Sequence, residues 1–176
     1  MSEEKEKSLV SILALNVKGQ LGKITTFFSE HNLNILRLVL SAADKDDVIH
    51  KTIAYIEGDR KKVNEMCKGL LDVENVLKVT NFQTNSEYIE KEVCMVKILN
   101  SEPKAPDVSN LVSDFNGRTI FTNQKITIYK VEDNEENMND FVGKLVDITK
   151  NVELSRSGMV AMAIDNKIDN VIDVDL

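Results

Sequence analysis

Two periods of apolar residues follow one another along the first 82 residues, and each change of period marks an expected element. Leu9 to Leu15 is an apolar run typical of a strand, and from Leu21 the apolar positions recur at helical spacing. Strand patterns follow in NILRLVLSA, from Asn34, and, after the polar turn ADKDD, in VIHKTIAYIEG. Asp59 is expected to cap the next helix, and VENVLKVTNF closes the series as a strand. The predicted order is βαββαβ.

The two helices of this first half each have an apolar face that is expected to point inward. In the first helix that face consists of Leu21, Ile24, Phe27 and Phe28. In the second helix it consists of Val63, Met66, Cys67, Leu70 and Leu71. Both faces have the spacing of an amphipathic helix that packs on a sheet.

The same order of elements recurs after the polar connector QTNSEY. KEVCMVKIL is typical of a strand, and Val108 to Phe115 has helical spacing, with Gly117 expected to end that helix. RTIFT and KITIYKV are short strands, the helix from Met138 to Ile148 follows, and VELSRSGMVAMAI is the last strand. The predicted fold class is α+β, with two ferredoxin-like βαββαβ domains, each a four-stranded antiparallel sheet with two helices on one face.

These patterns divide the chain into a flexible tail (1–7), a first domain (8–82), a linker (83–90), a second domain (91–165) and an acidic tail (166–176). The apolar alternation of that last tail is compatible with an added edge strand or with disorder. In the second strand of the first domain, Ile35 and Val39 oppose Leu36, Leu38 and Leu40, so both sheet faces are apolar. We therefore expect the face away from the helices to be buried by the other half or by a partner chain.

Composition and charge exclude several classes of partner. The 176 residues carry a net charge of -7, with a pI near 5.0, which argues against a nucleic-acid or anionic-membrane partner. There is no apolar run of about 20 residues, and the charged N-terminus has no signal-peptide core, so a cytoplasmic protein is expected. Cys67 and Cys94 are far apart in apolar segments, which favours buried free thiols. His31 and His50 are expected in ordinary surface or edge roles, and no catalytic or metal-binding motif is present.

The segment LNVKGQLGKITTFFSEHNLNI, from Leu15 to Ile35, allows two interpretations. In the simpler one, Gly19 relieves backbone strain where a strand turns into a helix. In the other, the backbone N–H groups at Gly19, Gln20 and Leu21 form an anion site at the helix N-terminus, suited to a carboxylate. The amides of Asn16 and Asn34 can both donate and accept, which suits a ligand with an ammonium and a carboxylate group. Spacing alone does not decide between the two.

Several separated segments resemble the small regulatory subunits of acetolactate synthase, also called acetohydroxyacid synthase. They are ALNVKGQLGKITTFFSEHNLNI, GLLDVENVLKV and EKEVCMVKI, followed by FNGRTI and NVELSRSGMVAMAI near the C-terminus. The resemblance runs from about Leu9 to Ile164 in the order and spacing of that family. It implies that the first domain is an ACT domain, a βαββαβ amino-acid sensor that pairs with another copy through its sheet edge.

The resemblance also implies a function. The chain would have no catalytic residues and no cofactor. It would activate a large catalytic subunit that carries thiamine diphosphate, Mg and often FAD. Valine, or another branched-chain amino acid, would inhibit the complex by binding between two ACT domains of a homodimer or larger assembly. The effector-binding positions of the family fall on Asn16, Gly19, Gln20, Leu21, Asn34 and Ile35.

The chain departs from the family at several positions. Lys23 stands where the family usually has Arg, and Gly22 where Ser or Ala is more usual. An alternative function is that of a free-standing ACT-type sensor that regulates a different enzyme or transcription, although the second domain argues against it. Arg156, in SRSG, is compatible either with an interface contact or with a turn beside a bulge at Gly158.

Overall fold

The computed structural model describes residues 6–85 and 87–164, which form two compact units. The first contains the described residues up to Ile89 and from Ala161 on, and the second runs from Glu90 to Val160. The predicted acidic tail (166–176) and the first five residues of the predicted N-terminal tail lie outside the described part. No helix within that part is long and apolar enough to cross a bilayer.

The first unit contains the predicted series of strands and helices around one antiparallel sheet. Its elements are β1 (Glu6–Leu15), α1 (Gln20–Glu30), β2 (Asn34–Ala42), β3 (Ile49–Gly58), α2 (Arg60–Leu70), β4 (Val76–Asn81) and the short α3 (Phe82–Asn85). The strand order is β2-β3-β1-β4, so β2 and β4 are the edges of the sheet. β1 and β3 pair along their full length, from Glu6 with Gly58 to Leu15 with Ile49.

The core of the first unit lies between this sheet and helices α1 and α2. It consists of buried residues from all three parts: Val10, Ile12, Ala14, Ile24, Phe28, Leu33, Ala54, Ile56, Val63, Met66 and Leu70. The cap predicted for α2 is confirmed, because the Asp59 carboxylate accepts bonds from the N–H groups of Lys61 and Lys62 at 2.9 and 3.0 Å. Leu71, predicted to point inward, is 53% exposed because the helix ends at Leu70.

Two segments are more ordered than the sequence pattern indicates. β1 begins at Glu6, so Glu6 and Lys7 pair with β3 although their charge is typical of a solvated tail. They pair because β3 extends to Gly58 and so offers hydrogen-bonding partners to both residues. Phe82, the last residue of the predicted first domain, begins the helical turn α3, which continues into the predicted linker. Phe82 is buried, and its ring lies 5.3 Å from that of Tyr88.

A bulge in β2 changes which of its side chains face the helices. Ile35 pairs with Ile56 and Leu38 pairs with Ala54, and the register shifts between Ile35 and Arg37. Ile35 therefore lies on the helix side together with Leu38, and both pack against the core. The prediction that Ile35 opposes Leu38 is wrong, because the extra residue of a bulge reverses a strict two-residue alternation.

The second unit repeats the topology of the first. Its elements are β5 (Tyr88–Leu99), α4 (Ala105–Asp114), β6 (Arg118–Thr122), β7 (Ile126–Asp133), α5 (Glu135–Ile148) and β8 (Val152–Ala163). The sheet order is β6-β7-β5-β8, which matches β2-β3-β1-β4 element for element. The predicted α+β fold, with two ferredoxin-like βαββαβ units, is therefore confirmed.

The end of α4 differs from its prediction. Asn116, with φ of 53°, occupies the left-handed position that the sequence assigned to Gly117. The N–H of Asn116 donates to Ser113 O, and that of Gly117 donates to Val112 O at 2.7 Å, which is a Schellman ending. Gly117 is needed for close packing, since a Cβ there would lie 2.7 Å from Val112 and 2.8 Å from Val131.

Candidate functional site

The corner between β1 and α1 leaves the start of the helix open. Gly19 has φ of 82°, in the left-handed region, and the N–H of Gln20 donates to Val17 O in the tight turn that precedes the helix. No side chain of the described residues caps this helix start. The first N–H groups of α1 therefore carry the positive end of the helix dipole without a carboxylate or hydroxyl of their own.

A cavity of about 140 Å³ lies beside this helix start. It is lined by residues of β1, the corner, α1, β2 and β3, namely Ala14, Leu15, Asn16, Val17, Gly19, Gln20, Leu21, Ile24, Leu40, His50 and Thr52. Cavities that hold drug-sized ligands measure roughly 300–1,000 Å³, so this one suits a much smaller molecule. Its lining combines apolar side chains with a few polar groups, as in sites for small organic ligands.

The structure brings together four of the six predicted site residues. Asn16, Gly19, Gln20 and Leu21 line the cavity. Asn34 does not, because it starts β2 and pairs with Glu57 at the far end of β3. Along β3, the eight residue steps from Ile49, beside the corner, to Glu57 correspond to about 27 Å at ~3.4 Å per residue.

Ile35, the sixth predicted residue, also lies away from the cavity within this chain. It is half-buried, and its side chain packs against the core between the sheet and the helices. Any ligand that contacts both the corner and the start of β2 must therefore meet the second group on another copy of the chain.

Gln20 is the most unusual residue of the cavity. Only 4% of its surface is exposed, and its Nε2 donates to the backbone oxygen of Glu74 at 2.8 Å. Its Oε1 is buried and has no hydrogen-bond partner among the described residues. Buried polar atoms are normally paired, and an unpaired acceptor is costly unless a ligand or water satisfies it.

Asn16 is held in place by the hairpin between β2 and β3. Its Nδ2 donates to the backbone oxygen of Asp47 at 2.8 Å, and its N–H donates to Val48 O, also at 2.8 Å. The Asp44 carboxylate holds the same hairpin by accepting bonds from the N–H groups of Val48 and Ile49. These contacts leave the oxygen of the Asn16 amide as the acceptor available to a ligand.

Lys23 places a positive side chain three residues after the first residue of α1. Its Nζ lies 2.7 Å from Glu74 Oε2, and both side chains are solvent-accessible. The hydrogen bond and the charge of Lys23 lower the pKa of Glu74 below its ordinary value. Because Glu74 O also receives the Gln20 amide, this loop is joined to α1 at two points.

The sequence did not indicate the far wall of the cavity. His50, expected in an ordinary surface or edge role, lines the cavity together with Thr52 and Leu40. A signal was present, because His50 and Thr52 lie on the same face of β3 as buried Ala54. Polar residues on the buried face of a strand are uncommon without a partner or a ligand.

Arg156, in the second unit, forms an ion pair with a buried carboxylate. Its Nε and Nη2 lie 2.8 and 2.5 Å from the two carboxylate oxygens of Glu92, which is 1% exposed. Its Nη1 donates to the side-chain oxygen of Asn139. The hydrogen bonds and the charge of Glu92 raise the pKa of Arg156. The guanidinium group is thus engaged within its own chain.

The two cysteines are free thiols, as predicted, and burial raises the pKa of each to about 11. Both are therefore protonated near neutral pH and poorly nucleophilic. Within residues 6–85 and 87–164, no group of three His, Cys, Asp or Glu side chains could hold a metal ion.

Comparisons with known proteins point to one family. Residues 91–165 match the family model described as the small subunit of acetolactate synthase. The chain is 27% identical over 154 residues to an acetolactate synthase small subunit of Buchnera aphidicola, which covers 88% of this chain and 96% of that protein. It is 26% identical over 162 residues to the acetolactate synthase isozyme 3 small subunit of Escherichia coli, which covers 92% and 98%.

A solved structure supports the fold. The acetolactate synthase small subunit from Thermotoga maritima superposes with a TM-score of 0.77 at 24% identity, covering 92% of this chain and 99% of that one. The chain thus resembles these small subunits in sequence and fold over nearly its whole length, which confirms the resemblance found in its motifs.

Proposed function

We propose that this chain is a regulatory subunit of acetolactate synthase, which acts in the biosynthesis of valine, leucine and isoleucine. It binds the large catalytic subunit, which carries thiamine diphosphate, Mg and often FAD, and raises its activity. Valine or a related small amino acid binds the first unit, an ACT domain, and inhibits the complex. The relatives named as small subunits, aligned over nearly their full lengths, support the partnership.

The observation that carries the effector site is the open start of α1 beside a small cavity with a buried, unpaired acceptor. The N–H groups around Gly19 and Leu21 suit an α-carboxylate. The oxygen of Asn16 suits an α-ammonium group. Leu21, Ile24 and Leu40 provide apolar surface for a branched side chain.

A second copy of the chain completes the site in this proposal. β2 is an edge strand with exposed Leu36 and Leu40, and such an edge can pair with the same edge of another chain. An antiparallel pair centred on Leu38 places Asn34 of the partner subunit opposite Ala42. Since Ala42 pairs with His50, which lines the cavity, the partner's amide would arrive beside the ligand.

A ligand held between two subunits can regulate the complex. Its affinity depends on how the two chains are arranged, so its binding favours one arrangement over another. The large subunit would sense that arrangement through its contacts with the dimer. Inhibition then requires only that the ligand-bound arrangement supports catalysis less well.

Reconstitution with a purified large subunit tests the proposal. Acetolactate formation should rise when this chain is added and should fall again when valine or a related amino acid is added. Asn16→Ala should keep the activation and lose the inhibition. Asn110→Ala, on an exposed position of α4, is the matched control and should keep both. Absence of activation at stoichiometric excess would contradict the proposed partnership.

A further inference from the structure

Among the described residues that line the cavity, only His50 has a titratable side chain. Histidine is the side chain that changes its charge between pH 5 and 8. We propose that the neutral imidazole of His50 accepts a hydrogen bond from the α-ammonium group of the effector, so that binding weakens when the ring is protonated. The inference rests on the proposed function, which takes the cavity as the effector site and Asn16 as an acceptor for the same ammonium group.

The strand register places the side chain of His50 on the cavity side of the sheet. His50 pairs with Ala14 of β1, and directly opposite residues of an antiparallel pair point to the same face. Ala14 belongs to the core between the sheet and the helices, so His50 faces that side too. His50 is half-buried, whereas Thr52, the next residue of β3 on this face, is only 2% exposed. The imidazole is therefore more accessible to a ligand than the hydroxyl of Thr52.

The second unit contains an equivalent corner, which shows what a side chain at this strand position can reach. Asn100 follows β5 as Asn16 follows β1, and its Nδ2 also donates to a backbone oxygen of the next hairpin, that of Asn123, at 2.7 Å. Thr127 occupies the position of His50, because each pairs with the second-last residue of the first strand of its unit. The Oγ1 of Thr127 lies 2.8 Å from Asn100 Oδ1 and donates to it. A side chain at this position thus reaches the oxygen of the corner asparagine.

In the first unit, the equivalent geometry brings His50 to the ammonium end of the proposed ligand. The carboxylate binds the N–H groups around Gly19 and Leu21, and the ammonium group binds the oxygen of Asn16. A neutral imidazole has one ring nitrogen with a free lone pair, which can accept a second hydrogen bond from that ammonium group. A protonated imidazole donates from both nitrogens and repels the ammonium charge. Binding of the effector therefore favours the neutral form of His50.

The other charged groups around His50 titrate outside the range in which histidine does. Its partners across the sheet, Ala14 and Ala42, are uncharged. Carboxyl groups ordinarily titrate near pH 4 and lysine side chains above pH 10, so a change in binding between pH 7.5 and 5.5 reports on histidine. The charged side chains on the neighbouring elements are Asp44, Lys45, Asp46 and Asp47 of the hairpin, Lys51 of β3, and Lys23 of α1 with its partner Glu74.

Isothermal titration of the full-length chain with valine, leucine and isoleucine at pH 7.5 and pH 5.5 tests this role. For the amino acid that binds most tightly, the wild-type affinity should fall about tenfold at the lower pH. Binding at pH 6 should also release a fraction of a proton, measured from the heats in buffers of different ionisation enthalpy. His50→Gln keeps an acceptor that does not titrate, so its affinity should be equal at both pH values.

His31→Gln is the matched control and should keep the pH dependence. His31 is the only other histidine of the chain, its Nδ1 lies 2.8 Å from Phe27 O at the end of α1, and it does not line the cavity. Because there are only two histidines, a pH dependence that His31→Gln retains is assigned to His50 even if His50→Gln does not fold.

The outcomes separate the inference from the proposed function. A wild-type affinity that is unchanged or higher at pH 5.5 overturns the inference and leaves the effector site in place. A decrease that persists in His50→Gln, or that disappears in His31→Gln, overturns the role of His50. If none of the three amino acids binds at pH 7.5, the proposed effector site itself is contradicted, and the inference with it.

Discussion

The two units share a topology but differ in the charge of the first turn of their first helices. Among the described residues, neither α1 nor α4 has a side-chain cap, and α1 has no acidic residue in its first turn. α4 has Pro106 and Asp107 in its first turn, and the carboxylate of Asp107 lies 3.1 Å from Lys104 Nζ. The second unit thus supplies its own negative charge where a helix favours one, and the first does not. In the proposed function, the carboxylate of the ligand takes that position.

The helix ends, by contrast, are alike in the two units. After α1, Asn32 takes the left-handed conformation, and the N–H groups of Asn32 and Leu33 donate to Ser29 O and Phe28 O. After α4, Asn116 has the same conformation and makes equivalent bonds. Both ends serve only to terminate a helix, so the fold alone determines them. The helix starts differ because, in the proposed function, only α1 has a ligand at its N-terminus.

Buried polar groups show the same contrast. In the second unit, the Glu92 carboxylate accepts bonds from Arg156 and from the N–H of Gly158. In the first unit, Gln20 Oε1 has no hydrogen-bond partner within residues 6–85 and 87–164. A paired network specifies structure, while an unpaired acceptor beside a cavity indicates a place for a ligand.

Arg156→Met should destabilise the second unit most. Removal of the guanidinium group leaves the buried Glu92 carboxylate without its counter-charge and with only the N–H of Gly158 as a donor, which costs about 3 kcal/mol. Hydrogen exchange should show loss of protection in residues 90–160, with a much smaller change in the first unit. Lys97→Met is the control, because Lys97 pairs with exposed Glu153 across the same strands β5 and β8, and should cost at most ~1 kcal/mol. A similar loss for both variants would contradict the structural role of Arg156.

Gly117→Ala should cost the second unit about 2 kcal/mol through overpacking. The new methyl group would press on Val112, on Val131 and on the backbone oxygen of Lys130. Gly143→Ala lies in α5 with open space around the added carbon, so it should stabilise the helix by up to ~1 kcal/mol. Urea unfolding of both variants measures the difference, and opposite signs are expected.

Gly19→Ala should cost the first unit about 1 kcal/mol, because a residue with a Cβ is strained at a φ of 82°. No atom in the described part of the chain lies within 4 Å of the added carbon, so the cost comes from the backbone. Gly22→Ala, one turn further in the same helix, should instead stabilise by up to ~1 kcal/mol. Equal effects of the two changes on thermal unfolding would argue against a strained corner.

Lys23→Met should raise the pKa of Glu74 toward its ordinary value, since Lys23 is the cause of its lowering. The folded pKa is depressed, so the contact contributes above the ordinary carboxyl pKa and is lost as the pH falls through the lowered value. The change in stability is small because both side chains are exposed to solvent. An NMR titration of the Glu74 carboxyl checks the shift, and no change in the variant would contradict it.

The sequence allowed the fold to be predicted because apolar spacing distinguishes strands from helices in both units. It did not reveal the bulge in β2, because one extra residue reverses the alternation of side chains between the two sheet faces and no residue type in the strand indicates it. It assigned the left-handed position after α4 to Gly117, because Gly is the commonest residue there, although Asn116 also tolerates it.

The site was only partly visible in the sequence for a topological reason. Asn16, Gly19, Gln20 and Leu21 are contiguous at one corner, so a local motif identifies them. His50 and Thr52 reach the same cavity through the pairing of β1 with β3, which a local motif does not contain. Asn34 was singled out for its amide and by family resemblance, and Ile35 by family resemblance alone. Strand register places Asn34 about 27 Å and Ile35 about 24 Å from the corner.

The distance between Asn16 and Asn34 within one chain gives the most direct test of the proposal that the effector site is shared between two chains. Asn16→Ala and Asn34→Ala should each abolish binding of the effector amino acid in isothermal titration. When the two variants are unfolded together and refolded in equal amounts, half of the dimers contain one of each chain and have one intact site. Binding should then return at about a quarter of the wild-type number of sites. No recovery, with both variants folded and dimeric, would contradict the shared site.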